Sequence, residues 1–298
     1  MPSLKSRFIY YAVKRQLRNL ALRGGSLEQV RAARDKASKR MFPAPAGVQV
    51  QPAHVGGCPG EWLRPDGAAA NSVLLYLHGG AYITGSCHTH RGLAGHLAKA
   101  AGIDCFLLDY RLAPEHPFPA AVDDAHAAYL ALHAQHPHRS IVLAGDSAGG
   151  GLTLALMQAI RAGEYAEPAA LVLLSPWADL TCSGDSIERC AAIDPMLSTE
   201  WLNTSAKIYA GEESLSHPQI SPLFSDFTDY PRTLIQVGTD EILLDDARRV
   251  AYAIKQAGNE VVLQEFADMW HVFQIHGSYM PESRGAIRAI ANFLKGDK

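Results

Sequence analysis

Six short apolar runs punctuate the chain, at 72–77 (SVLLYL), 103–108 (IDCFLL), 141–144 (IVLA), 171–174 (LVLL), 233–237 (TLIQV) and 261–266 (VVLQEF). Most are apolar at successive rather than alternate positions, as in strands covered on both faces, and such strands belong to a parallel sheet. Helical spacing fills the intervals 89–101, 120–135, 150–162, 245–257 and 283–294. Strand and helix in alternation predict a three-layer, doubly wound α/β sheet. The rhythm breaks at 179–229, a connection too long for an ordinary loop, and a lid is expected there.

Ahead of the first run, Ile9, Val13, Leu17 and Leu20 recur at helical spacing, and a Pro/Gly-rich stretch at 43–60 separates this arm from the body. Charge sharpens the division. The whole chain of 298 residues carries −3, yet residues 1–42 hold eleven Lys/Arg against Glu28 and Asp35, so the arm is +9 and the remainder −12. A basic arm suits nucleic acid or an anionic membrane surface, or one helix docked on its own acidic protein. Docking is the favoured reading. A nucleic-acid module lacks its pattern of base-stacking aromatics.

With 48% hydrophobic and 19% charged residues the composition is globular, excluding disorder and fibres. No apolar run approaches the length that spans a bilayer, and none of signal-peptide type opens the chain, so a soluble cytoplasmic protein is expected without stable membrane insertion. Cysteines at 58, 87, 105, 182 and 190 form an odd, scattered set with no C-x-x-C pair. Neither a disulfide framework nor a thiolate metal site is indicated, and no cofactor is called for.

Gly145-Asp146-Ser147-Ala148-Gly149 matches G-x-S-x-G. The string is weak alone, but it follows one strand and opens the next helix, the arrangement that lifts a serine above a sheet. A serine hydroxyl needs a base to take its proton, and the base needs a carboxylate to fix its tautomer. Among thirteen histidines His271 follows a strand closely, where functional groups converge, whereas His133, His136 and His138 suit a solvated helix end and His88 and His90 a loop. Asp240, just beyond the 233–237 strand, is the expected acid, with Glu241 its rival; Asp245 and Asp246 suit the start of the next helix. The order Ser147, Asp240, His271 is that of the α/β-hydrolases. Backbone amides of Gly79, Gly80 and Ala148 are the expected oxyanion donors. Tyr82, Trp201, Trp270 and Met269 are candidate pocket walls, with ordinary core as the competing reading.

His78-Gly79-Gly80-Ala81-Tyr82, Asp109-Tyr110-Arg111-Leu112-Ala113-Pro114-Glu115 and Gly145-Asp146-Ser147-Ala148-Gly149-Gly150, with Ser175-Pro176-Trp177-Ala178-Asp179-Leu180 and Asp194-Pro195, together resemble the bacterial hormone-sensitive-lipase family of carboxylesterases. The resemblance runs from about residue 48 to the end. It implies an α/β-hydrolase fold, with a mostly parallel eight-stranded sheet flanked by helices and a helical cap. The cap would comprise residues 1–47 and the insertion 179–222, and the core 48–178 and 223–298. It also implies hydrolysis of short- to medium-chain esters by Ser147, Asp240 and His271 through an acyl-enzyme. His78 would brace its loop rather than react. Two departures stand out: Ala81 replaces the third glycine of H-G-G-G, and Val272 follows the base where glycine is common. A lactone or amide hydrolase on the same residues is the alternative, and a non-catalytic receptor of this fold is disfavoured by His271. The expected partner is a small-molecule ester, with a homodimer left open.

Overall fold

The computed structural model describes residues 2–21 and 26–296, with backbone alone for 16–21 and Ala70, so Leu17 and Leu20 lie outside the described side chains. Two helices open the chain, α1 (Leu4–Ala21) and α2 (Leu27–Met41), followed by strands β1 (Val48–Val55), β2 (Cys58–Pro65) and β3 (Ala69–Leu77). Then come α3 (Cys87–Ala101), β4 (Ile103–Leu108), α4 (Ala120–Gln135), β5 (Ser140–Asp146), α5 (Ala148–Ala162) and β6 (Ala170–Leu174). The insertion that follows carries α6 (Ser186–Arg189) and α7 (Thr199–Ala210), and the chain closes with β7 (Thr233–Gly238), α8 (Leu244–Gln256), β8 (Val261–Phe266) and α9 (Pro281–Lys295).

The eight strands form one sheet in the order β1-β2-β4-β3-β5-β6-β7-β8, parallel from β4 onward and antiparallel at β2. Strand alternation sorts the core into two layers. Leu75, Leu77, Phe106, Leu108, Leu143, Leu173, Ile235 and Val237 face α4, α5 and α8. Leu74, Tyr76, Leu107, Val142, Ala144, Val172 and Leu234 face α3 and α9. The six expected strands are all present. The β1–β2 hairpin supplies the two further strands of the eight that the family resemblance implies, although the apolar runs do not show them, because the Pro/Gly-rich composition of 43–60 reads as a linker. Gly56 and Gly57, both at positive φ (61° and 80°), make its tight turn, and β1 is largely exposed as an edge strand.

The arm is pinned at several points. Ser3 donates from its amide and hydroxyl to Glu282 at the start of α9 (2.6 and 3.0 Å). The Tyr10 hydroxyl donates to the Ile193 carbonyl (2.6 Å) and Lys14 Nζ to the Ala192 carbonyl (3.1 Å), so α1 also rests on the insertion.

Candidate active site

Ser147 occupies the single residue between β5 and α5, with φ 54° and ψ −123°, a conformation an L-residue adopts only when its surroundings enforce it. They do. Its amide donates to the Leu174 carbonyl at the end of β6 (2.8 Å), and its carbonyl accepts from Trp177 (2.9 Å) and Gly151 (3.1 Å). Gly149 allows the turn to close, since a methyl group there would overlap the Leu77 carbonyl.

His271 lies in the loop after β8, buried, with Nδ1 2.7 Å from Glu241 Oε2. A carboxylate oxygen accepts, so Nδ1 carries the proton and Nε2 is left with a lone pair. Glu241 is fully buried, and its Oε1 accepts from the Gly238 amide and the Ser175 hydroxyl, both at 2.7 Å. Ser175 Oγ in turn accepts from the Val272 amide (3.2 Å), linking both sides of the His271 loop. Burial drives the His271 pKa down, but the Glu241 hydrogen bond and charge, with help from Asp194 and Asp146, outweigh it and hold the imidazole above its ordinary value.

The acid expected from sequence is therefore corrected: Glu241, not Asp240, meets the imidazole. Asp240 sends its backbone amide to the Met269 carbonyl (2.9 Å), while its half-buried carboxylate accepts from Thr239 Oγ1 (3.1 Å). The turn after β7 points one of two consecutive carboxylates inward, and it is the second.

One expected oxyanion donor is corrected as well. The Gly79 amide is bonded to Asp146 Oδ1 (3.1 Å) and cannot aim at a substrate oxygen. Among the described residues no acceptor takes the amides of Gly80 or Ala81, nor that of Ala148 in the first turn of α5. Ala81, at φ 56°, thus joins Gly80 and Ala148 as a free donor, a role its sequence conceals because an amide shows no side-chain signal.

Beneath this turn lies a buried polar network. Asp146 Oδ1 also accepts from the Tyr76 hydroxyl (2.7 Å), and Oδ2 faces His90 Nε2 (3.2 Å). Burial opposes charge on Asp146, yet His90 and these hydrogen bonds hold its carboxyl below the usual range. His78 stacks between Tyr110 (4.3 Å) and His90 (5.4 Å), and burial pushes its pKa to about 4. Its Nδ1 donates to the Gly79 carbonyl (2.9 Å), so it braces the turn as a neutral ring. His90 lies not in a loop, as the sequence suggests, but in the first turns of α3, which the capping box of Ser86 and Thr89 begins just before it and which turn it inward. Asp194 receives the Ile242 amide (3.0 Å), which ties the insertion to the Glu241 turn.

The aromatic candidates divide. Tyr82 is buried and stacked face to face on Tyr209 of α7 (3.7 Å), joining the Ala81 turn to the insertion. Trp201 is half-buried with the Arg34 guanidinium 5.8 Å from its ring. Trp270 and Met269 are core: they pack with Phe273, Met280 and Ala286 under Ile9 and Tyr10 of α1, and Trp270 is 1% exposed. Trp270, a candidate pocket wall in the sequence, thus sits in a core cluster beneath α1.

Known proteins resemble this chain over most of its length. Residues 74–275 match the family model described as the alpha/beta hydrolase fold. An acetyl-hydrolase of Streptomyces hygroscopicus is 42% identical over 280 residues, 93% of this chain and 92% of the relative. An esterase of Acinetobacter venetianus is 37% identical over 256 residues, 85% of this chain and 84% of the relative. A crystal structure of an esterase from the bacterial hormone-sensitive lipase family superposes with a TM-score of 0.94 at 39% identity, covering 100% of this chain and 99% of the other. The chain belongs to the bacterial hormone-sensitive-lipase family of α/β-hydrolases and is a carboxylesterase.

Proposed function

We propose that this esterase cleaves short- to medium-chain esters through an acyl-enzyme on Ser147. His271 Nε2 accepts the Ser147 proton as Oγ attacks the ester carbonyl, and returns it to the departing alkoxide. Glu241 fixes the tautomer and stabilises the imidazolium. Amides of Gly80, Ala81 and Ala148 receive the oxyanion, each worth about 3 kcal/mol in the transition state. Water, activated by the same imidazole, then releases the acid. The observation that carries this reading is the 2.7 Å His271–Glu241 bond, on a loop braced through Ser175 to the strand end that also holds Ser147.

The arm and the insertion 179–222 together serve as the cap, since α1 bonds to 192–193 and Tyr82 stacks on α7. A methyl at Ala81 beside the acyl site and the acetyl-hydrolase relative both support a small acyl group. Five free thiols, four of them buried, suit a reducing cytoplasm. Labelling with a fluorophosphonate, followed by peptide mass analysis, is expected to place the adduct on Ser147. Ser147→Ala is expected to lose about 10³-fold or more in kcat while staying folded. An adduct elsewhere, or activity within about tenfold of wild type, overturns the reading. Rates across p-nitrophenyl esters from acetate to palmitate should be highest among the short ones.

A further inference from the structure

We propose that the solvent-facing side of α1 docks the enzyme on an anionic lipid surface. The helix has two apolar faces. Its inward face holds buried Ser6 with Ile9 and Tyr10, packed on the Trp270 cluster and pinned to Glu282 and Ile193. Its outward face holds Leu4, Phe8 and Tyr11 at i, i+4 and i+7, which are 84%, 76% and 66% exposed. Among the described residues this second stripe is left largely exposed, with Tyr11 edge-on to Tyr10 (5.4 Å) at its border.

Charge selects the occupant. Lys5, Arg7 and Arg15 are exposed beside the stripe, and the helix contains no Asp or Glu, whereas the chain beyond residue 42 is net negative. Apolar and aromatic side chains rimmed by cations match the headgroup boundary of a bilayer rich in acidic lipid, where each cation and each buried CH₂ adds about 1 kcal/mol. A second copy fits less well: pairing two such stripes about a two-fold axis would set the cations of one copy against those of the other. The acidic body is repelled by the same surface, so the protein would land arm first. No described helix is long and apolar enough to cross a membrane, and docking requires none. Because Trp270 under α1 adjoins His271, landing on this face sets the esterase site beside a phase into which apolar esters partition.

Sedimentation of the full-length enzyme with vesicles tests the proposal, using phosphatidylcholine alone and phosphatidylcholine mixed with phosphatidylglycerol. Partition onto the mixed vesicles is expected to exceed that onto neutral ones by about tenfold and to be abolished by high salt. The double variant Phe8→Ser, Tyr11→Ser should lose about tenfold of that partition, while hydrolysing soluble p-nitrophenyl acetate at the wild-type rate and keeping its circular dichroism. Equal, weak binding to both vesicle types overturns the proposal, as does a dimer in solution that the double variant dissolves. Soluble-ester activity reports separately on the Ser147 reading, so failure of one is distinguishable from failure of the other.

Discussion

Asp146 accepts the Gly79 amide at 3.1 Å, so the residue before the candidate nucleophile is bonded to the turn that carries the free amides. The candidate nucleophile and the proposed oxyanion donors are thereby registered through one carboxylate, itself held by Tyr76 and His90. Asp146→Asn retains an oxygen for Gly79 but loses the charge facing His90, and kcat is expected to fall about tenfold with KM little changed. His90→Ala leaves a buried carboxylate short of a partner and should cost about 3 kcal/mol in unfolding free energy. Because the Asp146 pKa is depressed in the folded state, its contribution is present above the unfolded carboxylate value of about 4 and is lost as pH falls through the depressed one. Urea titrations of wild type and His90→Ala at neutral and acid pH measure both; a gap that fails to narrow on acidification would assign the loss to packing instead.

Glu241→Gln removes the charge that fixes the His271 tautomer, and kcat is expected to drop by up to about 10⁴-fold. Asp240→Asn touches a carboxylate bonded to Thr239 and should stay within about threefold. Steady-state kinetics on one soluble ester decide the matter. Equal losses in both variants would mean that the turn, rather than one carboxylate, sets the imidazole.

These two residues mark the limit of what sequence conveys. The six parallel strands, the serine elbow and His271 follow from apolar runs and their flanking turns, because burial on both faces imposes a local pattern. Which of two adjacent carboxylates points inward depends on how Asp240's amide meets Met269, a contact across twenty-nine residues. The β1–β2 hairpin is hidden for another reason: an exposed edge strand needs no apolar face, and the polar, proline-containing run VQVQPAHV reads as linker. Gly79 looked like a donor because nothing local shows that Asp146, sixty-seven residues away, already takes its amide.

Acidification should inactivate the enzyme through His271. In the proposed mechanism the neutral imidazole is the base, and its pKa in the fold is raised above the ordinary 6.5, so kcat/KM should be full above the raised value and fall as pH drops through it. Glu241→Gln deletes the largest upward influence and leaves burial, moving this limb to lower pH even as the plateau falls. Stability has the opposite sign: imidazolium is favoured in the folded state, so that contribution is present below the unfolded pKa and is lost as pH rises through the folded one. A pH profile whose acid limb is identical in wild type and Glu241→Gln would assign the titration to another group.

Helix α2 is expected to act on turnover as well as on substrate binding. Arg31 donates to the carbonyls of Ile83 (2.8 Å) and Ala113 (2.7 Å) while holding Glu115, and Arg34 donates to Thr84 Oγ1 (2.9 Å). The Thr84 hydroxyl donates to the Gly80 carbonyl (2.9 Å), and the Ser86 hydroxyl to Asp35 Oδ1 (2.6 Å). Three charged side chains of α2 thus grip the 83–86 segment immediately after the free amides. Deleting residues 1–42 should raise KM by opening the cap, and should also lower kcat by about tenfold, since loosening the donors weakens them in the transition state more than in the ground state. Arg31→Lys keeps the charge but loses the planar fork, so its kcat should fall between wild type and Arg31→Ala. Measured on p-nitrophenyl acetate, a truncated enzyme with raised KM and unchanged kcat would mean that the amides hold their aim without α2, and that the arm is cap alone.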